Sequence, residues 1–192
     1  VQADSAGGTA GTGTLILTST AGALTISAPV TSDTGQITLT ALSGITLGNN
    51  ALSDVVVSGA SGNIVIDADS NNNATGTFTA THADSSLATS AGSGSISITA
   101  DDIELTGTIN AGAAAVTLLP STAVSIGLGT GAGAFNLSNA EFGQITTTGT
   151  ITVGDGALAS VVTLDEVTLT AKNLTLVTNS TINDDDDTDD SL

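Results

Sequence analysis

Apolar and polar residues alternate along most of this chain in short bursts. Thr14–Thr18 reads TLILT, Ala23–Ser27 reads ALTIS, Gln36–Thr40 reads QITLT and Gly44–Leu47 reads GITL. The same two-residue period returns in Asp54–Ser58, Asn63–Asp67, Ser95–Thr99, Asp102–Thr106, Ala115–Leu119, Val124–Leu128, Ile151–Val153, Val161–Leu164, Val167–Thr170 and Asn173–Val177. Successive side chains of a strand point to opposite faces, so each burst predicts a short strand with one aliphatic side. The links between bursts carry Gly, Asn, Asp, Ser or Pro, which are turn formers. No segment carries an apolar stripe at helical spacing. Asn110–Ala115 is too short for a helix and contains Gly112. His82–Ser93 is the one stretch where the pattern leaves room for a helical turn.

The apolar pairs themselves recur. Ile37/Leu39, Ile64/Ile66, Ile96/Ile98 and Val116/Leu118 return at a loose period of roughly 20 to 30 residues, the range of solenoid repeats. A single turn of such a coil cannot bury its inner side. Stacked turns build one continuous core. The predicted fold is therefore all-β, a right-handed parallel β-helix of short strands over residues 14–182. Residues 1–13 read as a flexible lead-in or inter-subunit strand, and 183–192 as an acidic tail or linker. A β-sandwich is the alternative, since many short strands also suit two packed sheets. Against it, the strands are very short and tight hairpins between long alternating arms are scarce.

Composition sharpens this picture. The 192 residues hold three Phe and no Tyr, Trp, Met or Cys, so the core must be Val, Ile, Leu and Ala. Such residues pack well on a pleated surface. The formal net charge is −18, from 19 acids against one basic residue, Lys172. Phosphate binding needs Lys and Arg, which argues against nucleic acid, and anionic membrane surfaces are equally poor partners. No run approaches the length needed to cross a bilayer, so membrane insertion is not expected. The absence of Cys removes disulfides and thiolate metal sites.

Cations are the natural partners of such a chain, and calcium leads because it takes carboxylate and carbonyl oxygen. Asp184, Asp185, Asp186, Asp187, Asp189 and Asp190 are six of the last ten residues. Asp67 and Asp69 follow a predicted strand at alternate positions in an amide-rich loop. These eight are the candidate calcium ligands, although no EF-hand spacing is present. Simple solvation of a charge run and an Asx-rich turn are the competing readings. Asp101, Asp102, Glu104, Asp165 and Glu166 add paired carboxylates. Glycoside hydrolysis uses two carboxyl groups about 5–9 Å apart. Yet a chain with no Arg, one Lys and no Tyr or Trp has little to hold an acidic sugar, and no enzymatic activity is expected. Asn73, in the sequon Asn73-Ala-Thr75, is the best placed of four glycosylation acceptors. His82 has no second His or Cys with which to ligate zinc.

Gly94–Asp155, from GSISITADDIELTG through LLPSTAVSIGLGTGAGAFNLSNAEFGQITTTGTITVGD, resembles repeats of secreted bacterial exoproteins of the filamentous-haemagglutinin type. The most specific pieces are LSNAEFGQI at Leu137–Ile145 and ITVG at Ile151–Gly154. Thr14–Gly48 has the looser GxLxIxA pattern of the same proteins. The secretion domain characteristic of such exoproteins is not seen. The resemblance implies a rod-like right-handed β-helix, an extracellular or cell-surface setting, and a structural or adhesive role. It carries over no catalytic residue. The two functions expected are a subunit or repeat of an extracellular filament, joined head-to-tail to other copies, and a calcium-dependent adhesin or module binding surface glycans.

Overall fold

A computed structural model describes residues 2–3, 13–48, 54–57, 61–89 and 93–184. The chain winds as a coil whose turns each contribute strands to three faces. The first turn supplies β1 (Gln2–Ala3), β2 (Leu15–Thr18) and β3 (Leu24–Ile26), and the next β4 (Val30–Ser32), β5 (Ile37–Thr40) and β6 (Ile45–Leu47). Then follow β7 (Val55–Val57), β8 (Ile64–Asp67) and β9 (Phe78–Ala80), and β10 (Ser86–Ala88), β11 (Ile96–Ala100) and β12 (Ile103–Leu105). A larger turn holds β13 (Thr108–Gly112), β14 (Val116–Pro120), β15 (Ile126–Gly129), β16 (Phe135–Leu137) and the helix α1 (Asn139–Gln144). The coil continues with β17 (Ile145–Thr147), β18 (Thr150–Val153) and β19 (Val162–Asp165), and finishes with β20 (Asn173–Leu176) and β21 (Ile182–Asp184).

Every strand pairing is parallel. The first face is a six-stranded sheet, β1-β4-β7-β10-β13-β17, and the second a seven-stranded sheet, β2-β5-β8-β11-β14-β18-β20. The third face comprises two four-stranded sheets, β3-β6-β9-β12 and β16-β15-β19-β21. Repeating short parallel strands over several sheets make a β-solenoid-like architecture, in place of the antiparallel layers of a sandwich.

The alternating sequence dictates this core. On the second face Ile37, Ile64, Ile96, Val116 and Ile151 stack in one inward column. Leu39, Ile66, Ile98, Leu118 and Val153 stack in the next. All ten are buried. A fully buried aliphatic side chain contributes about 1.5–3 kcal/mol of transfer free energy, so the columns dominate stability. The intervening residues Thr38, Val65, Ser97, Thr117 and Thr152 point outward. On the first face Val30, Val55, Leu87, Ile109 and Ile145 form the inward column.

Three expectations are corrected. The expected helical turn in His82–Ser93 is not found among its described residues, where Ser86–Ala88 forms β10, and the helix lies instead at Asn139–Gln144. Ser138 caps it, and Glu141 returns the bond in a capping box that satisfies the otherwise unpaired amides of the first turn. Second, Val167–Thr170 joins no ladder. The segment lies between β19 and β20, where a strand of the first face is due. The Asn139 side chain holds it instead, donating to the Glu166 carbonyl at 2.7 Å and accepting from the Thr168 amide at 2.7 Å. Third, Asn173–Val177 is not the last strand. β21 follows and takes Asn183 and Asp184, the first residues of the expected tail, into pairing with β19. At the other end, β1 pairs with β4 of its own chain.

Candidate functional site

Two kinds of feature bear on function: the acidic loops at the corners of the coil, and its two end turns. Asp67 ends β8 in the outward column shared with Thr40 and Thr99. Two residues later the backbone has turned the corner, and Asp69 is buried with no exposed surface. Its Oδ1 accepts from the Asn73 amide at 3.3 Å, while Oδ2 accepts from the Ala74 amide at 3.0 Å and the Ser121 hydroxyl at 2.6 Å. These donors close a loop in which Asn72 and Ala74 take φ of 52° and 59°. They also tie that loop to a residue well along the coil. Asp69 is thus a structural clasp whose oxygens are engaged.

Asp67 differs. Its Oδ1 is buried without a hydrogen-bond partner. Desolvation raises its pKa above the ordinary carboxylate value, the charge of Asp69 adds to the rise, and a backbone amide at Asp69 partly opposes it. Asp101 is raised in the same way, by desolvation and then by Asp69. Among the described residues no group of three or more acidic or imidazole side chains is disposed to hold a metal ion. Asp184 lies exposed on β21, and Asp185, Asp186, Asp187, Asp189 and Asp190 fall outside the described residues. The structure therefore does not bring Asp67 and Asp69 together with Asp184. Asn73 is exposed at the tip of its loop, and its amide oxygen accepts the Thr75 hydroxyl at 2.5 Å.

A second acidic group sits where the third face is divided. Asp102 accepts from the Asn136 amide at 2.9 Å. Glu141 accepts from the Leu105 amide at 3.1 Å through one oxygen, and from the Ser138 amide and hydroxyl at 2.9 and 2.8 Å through the other. No ladder joins β12 to β16. These two carboxylates take its place, each bonding a backbone amide across the gap. Desolvation raises Asp102, its backbone donors oppose the rise, and the charges of Glu141 and Glu104 add to it. The role of Glu141 was not read from the sequence, although Ser138-x-x-Glu141 is a legible capping signal.

His82 lies on a surface corner, its Nδ1 accepting the Asp84 amide at 3.2 Å and standing 3.8 Å from the Asp84 carboxylate. Lys172 borders a groove of about 260 Å³ between Ile145–Thr147 and Thr170–Ala171, beside β17. All three phenylalanines, Phe78, Phe135 and Phe142, are fully buried.

Among the described residues, the end turns leave the aliphatic columns only partly buried. At the amino-terminal end the inward Leu15, Leu17 and Leu24 are only partly buried, while Ile16, 62% exposed, faces outward in register with Thr38. An open groove of about 350 Å³ runs there, lined by Ile16, Leu17, Leu24, Ile26, Ala28 and Val30 among others. At the other end Leu174 and Leu176 are partly buried and Ile182 is 50% exposed. Each end also presents a strand edge, a template for further pairing. Among the described residues no helix is long and apolar enough to cross a membrane. Comparison with protein-family models, curated proteins and solved structures finds no match.

Proposed function

We propose that this chain is a right-handed β-helical element of an extracellular or cell-surface filament, joined head-to-tail to other copies and without enzymatic activity of its own. The observation that carries this reading is the pair of end turns, where aliphatic columns buried through the middle of the coil come to the surface beside open strand edges. Another turn of the same kind covers such a surface. The order of faces is compatible: β2 of one copy falls on β20 of the next, and β3 on β21. Head-to-tail contact of this kind does not close and propagates as a filament. The likeness of Gly94–Asp155 to filamentous-haemagglutinin repeats supports the same setting.

The adhesive reading is weaker at one point. Sugar rings usually stack on exposed aromatic side chains, and every aromatic residue here is buried. Calcium enters the proposal as a counter-ion for the acidic run from Asp184 to Asp190 rather than for Asp69, whose buried oxygens are already engaged. Its binding is tested by calorimetry, with no heat and no shift in melting temperature counting against it. The filament is tested by electron microscopy and sedimentation over a concentration series. Rods that lengthen with concentration support it. Particles of one short length at every concentration, with calcium as without it, overturn it.

A further inference from the structure

Among the described residues, the two end turns of the coil differ in charge, and register places the difference. In the last sheet of the third face, Leu137, Leu128 and Leu164 form one inward column. The next position is Asp184, opposite Leu164. A carboxylate therefore stands at the end of an aliphatic column, pointing where the next turn of core belongs. Ile182, two residues earlier on the same strand, stands in the adjacent inward column opposite Val162. The second face finishes without such an interruption, on Leu174 and Leu176 opposite Ile151 and Val153.

At the amino-terminal end the corresponding surface is apolar. Among the described residues, the groove over β2 and β3 carries no charged side chain; Leu17, Leu24, Ile26 and Val30 are among those that line it. The chain's single Lys lies at residue 172, far along the sequence from that turn. Head-to-tail stacking thus sets leucines on leucines over the second face, and a carboxylate against β3, where Leu24 and Ile26 point inward. An unpaired charge taken out of water is strongly unfavourable, and inward-pointing charges are a known means of blocking a sheet end.

We propose that Asp184 guards the carboxy-terminal end: its uncompensated carboxylate keeps that end from accepting the amino-terminal turn of a second copy, and replacing it with an apolar side chain opens the junction. This rests on the head-to-tail reading and adds a residue that controls it. The second copy is the occupant because its first turn offers the matching columns in the matching order of faces. The device gives the junction a polarity, since among the described residues of the two end turns the block lies on the carboxy-terminal one.

The test uses the full chain at neutral pH in the presence of a chelator. Sedimentation velocity and negative-stain microscopy compare the native chain with Asp184→Leu, Asp184→Asn and Glu104→Gln. The last removes one exposed acid from β12, away from both ends, and controls for net charge. Circular dichroism checks that each variant is folded. The expected result is end-to-end oligomers of Asp184→Leu, and to a smaller degree Asp184→Asn, at a concentration at least about tenfold below that needed by the native chain and by Glu104→Gln, which corresponds to one factor of ten in the association constant. If all four chains form equal filaments, head-to-tail assembly stands and the guard is overturned. If folded Asp184→Leu stays a single particle at every concentration, both are overturned.

Discussion

The second and third faces are built by the same turns of one chain, yet one is continuous and the other is divided. The second face runs through seven strands without a break, and its register carries one aliphatic pair directly onto the next. The third face is interrupted between β12 and β16. There the chain makes β15, folds back through residues 130–134, and lays β16 beside β15 in parallel. Five residues are a very short link between parallel strands, which ordinarily need a crossover of about a dozen or more. Glycine makes it feasible. A Cβ at Gly127 would lie 2.2 Å from the Gly131 carbonyl oxygen, and one at Gly133 would lie 2.0 Å from the Gly127 nitrogen. The return loop therefore rests directly on the outer side of β15, backbone on backbone. Regular alternation is enough to continue a sheet. Departing from it takes special residues: glycines for the close approach, and carboxylates to bond the amides the missing ladder leaves free.

That contrast can be broken from either side. The largest effect is expected on the continuous face, where Ile98→Ala removes a fully buried side chain from the middle of its column and costs about 2–5 kcal/mol. Urea unfolding measures it, and an unchanged midpoint would show that the column is not the main support. On the divided face, Gly127→Ala forces the return loop off β15 at a cost of about 1–3 kcal/mol. Hydrogen exchange should then quicken in β15 and β16 while β5 and β8 stay protected, because repeat units depend mainly on their neighbours. Equal loss in all four strands would contradict that local picture.

Smaller effects should follow at the carboxylates. Glu141→Ala leaves the Leu105 amide without its acceptor and is expected to cost about 1–2 kcal/mol. The loss should show as faster amide exchange at Leu105, and an unaltered rate there would remove the proposed bridge. Acidity gives the last comparison. Asp67, Asp101 and Asp102 bind their protons more tightly in the folded chain than in the unfolded one. Their contribution to stability is present below the ordinary carboxylate pKa and is lost as pH rises through the raised values. The urea midpoint should fall slightly between pH 4 and pH 7, and Asp67→Asn with Asp101→Asn should flatten the slope.

Much of the coil was legible in the sequence, because a two-residue period and a recurring aliphatic pair are local signals. Ile37/Leu39, Ile64/Ile66, Ile96/Ile98 and Val116/Leu118 are found one above another, as their recurrence suggested. Short strands with one central apolar residue, such as Ser86–Ala88, gave too little alternation to register. Val167–Thr170 has the alternation of a strand but lacks the ladder, since Asn139 satisfies its backbone from a distance in sequence that periodicity does not see. The capping box at Ser138 and Glu141 was readable, but the helix it opens has six residues and one buried side chain, Phe142, too little for an apolar stripe to show. Asp69 looked like a ligand because its loop is acidic. Only the fold shows that Ser121 and two backbone amides meet it. The burden carried by Asp184 depends on which residue it stacks against, a fact of register and not of composition.

The extra strand β16 has a geometric consequence. With two four-stranded sheets against a single sheet of seven, the third face holds one strand more than the second. Strands in a sheet lie about 4.8 Å apart, so an added strand needs room that a continuous ladder does not offer. The second face keeps its register past the insertion, from β11 through β14 to β18, so the strand added between Ile126 and Leu137 is absorbed where β12 and β16 share no ladder.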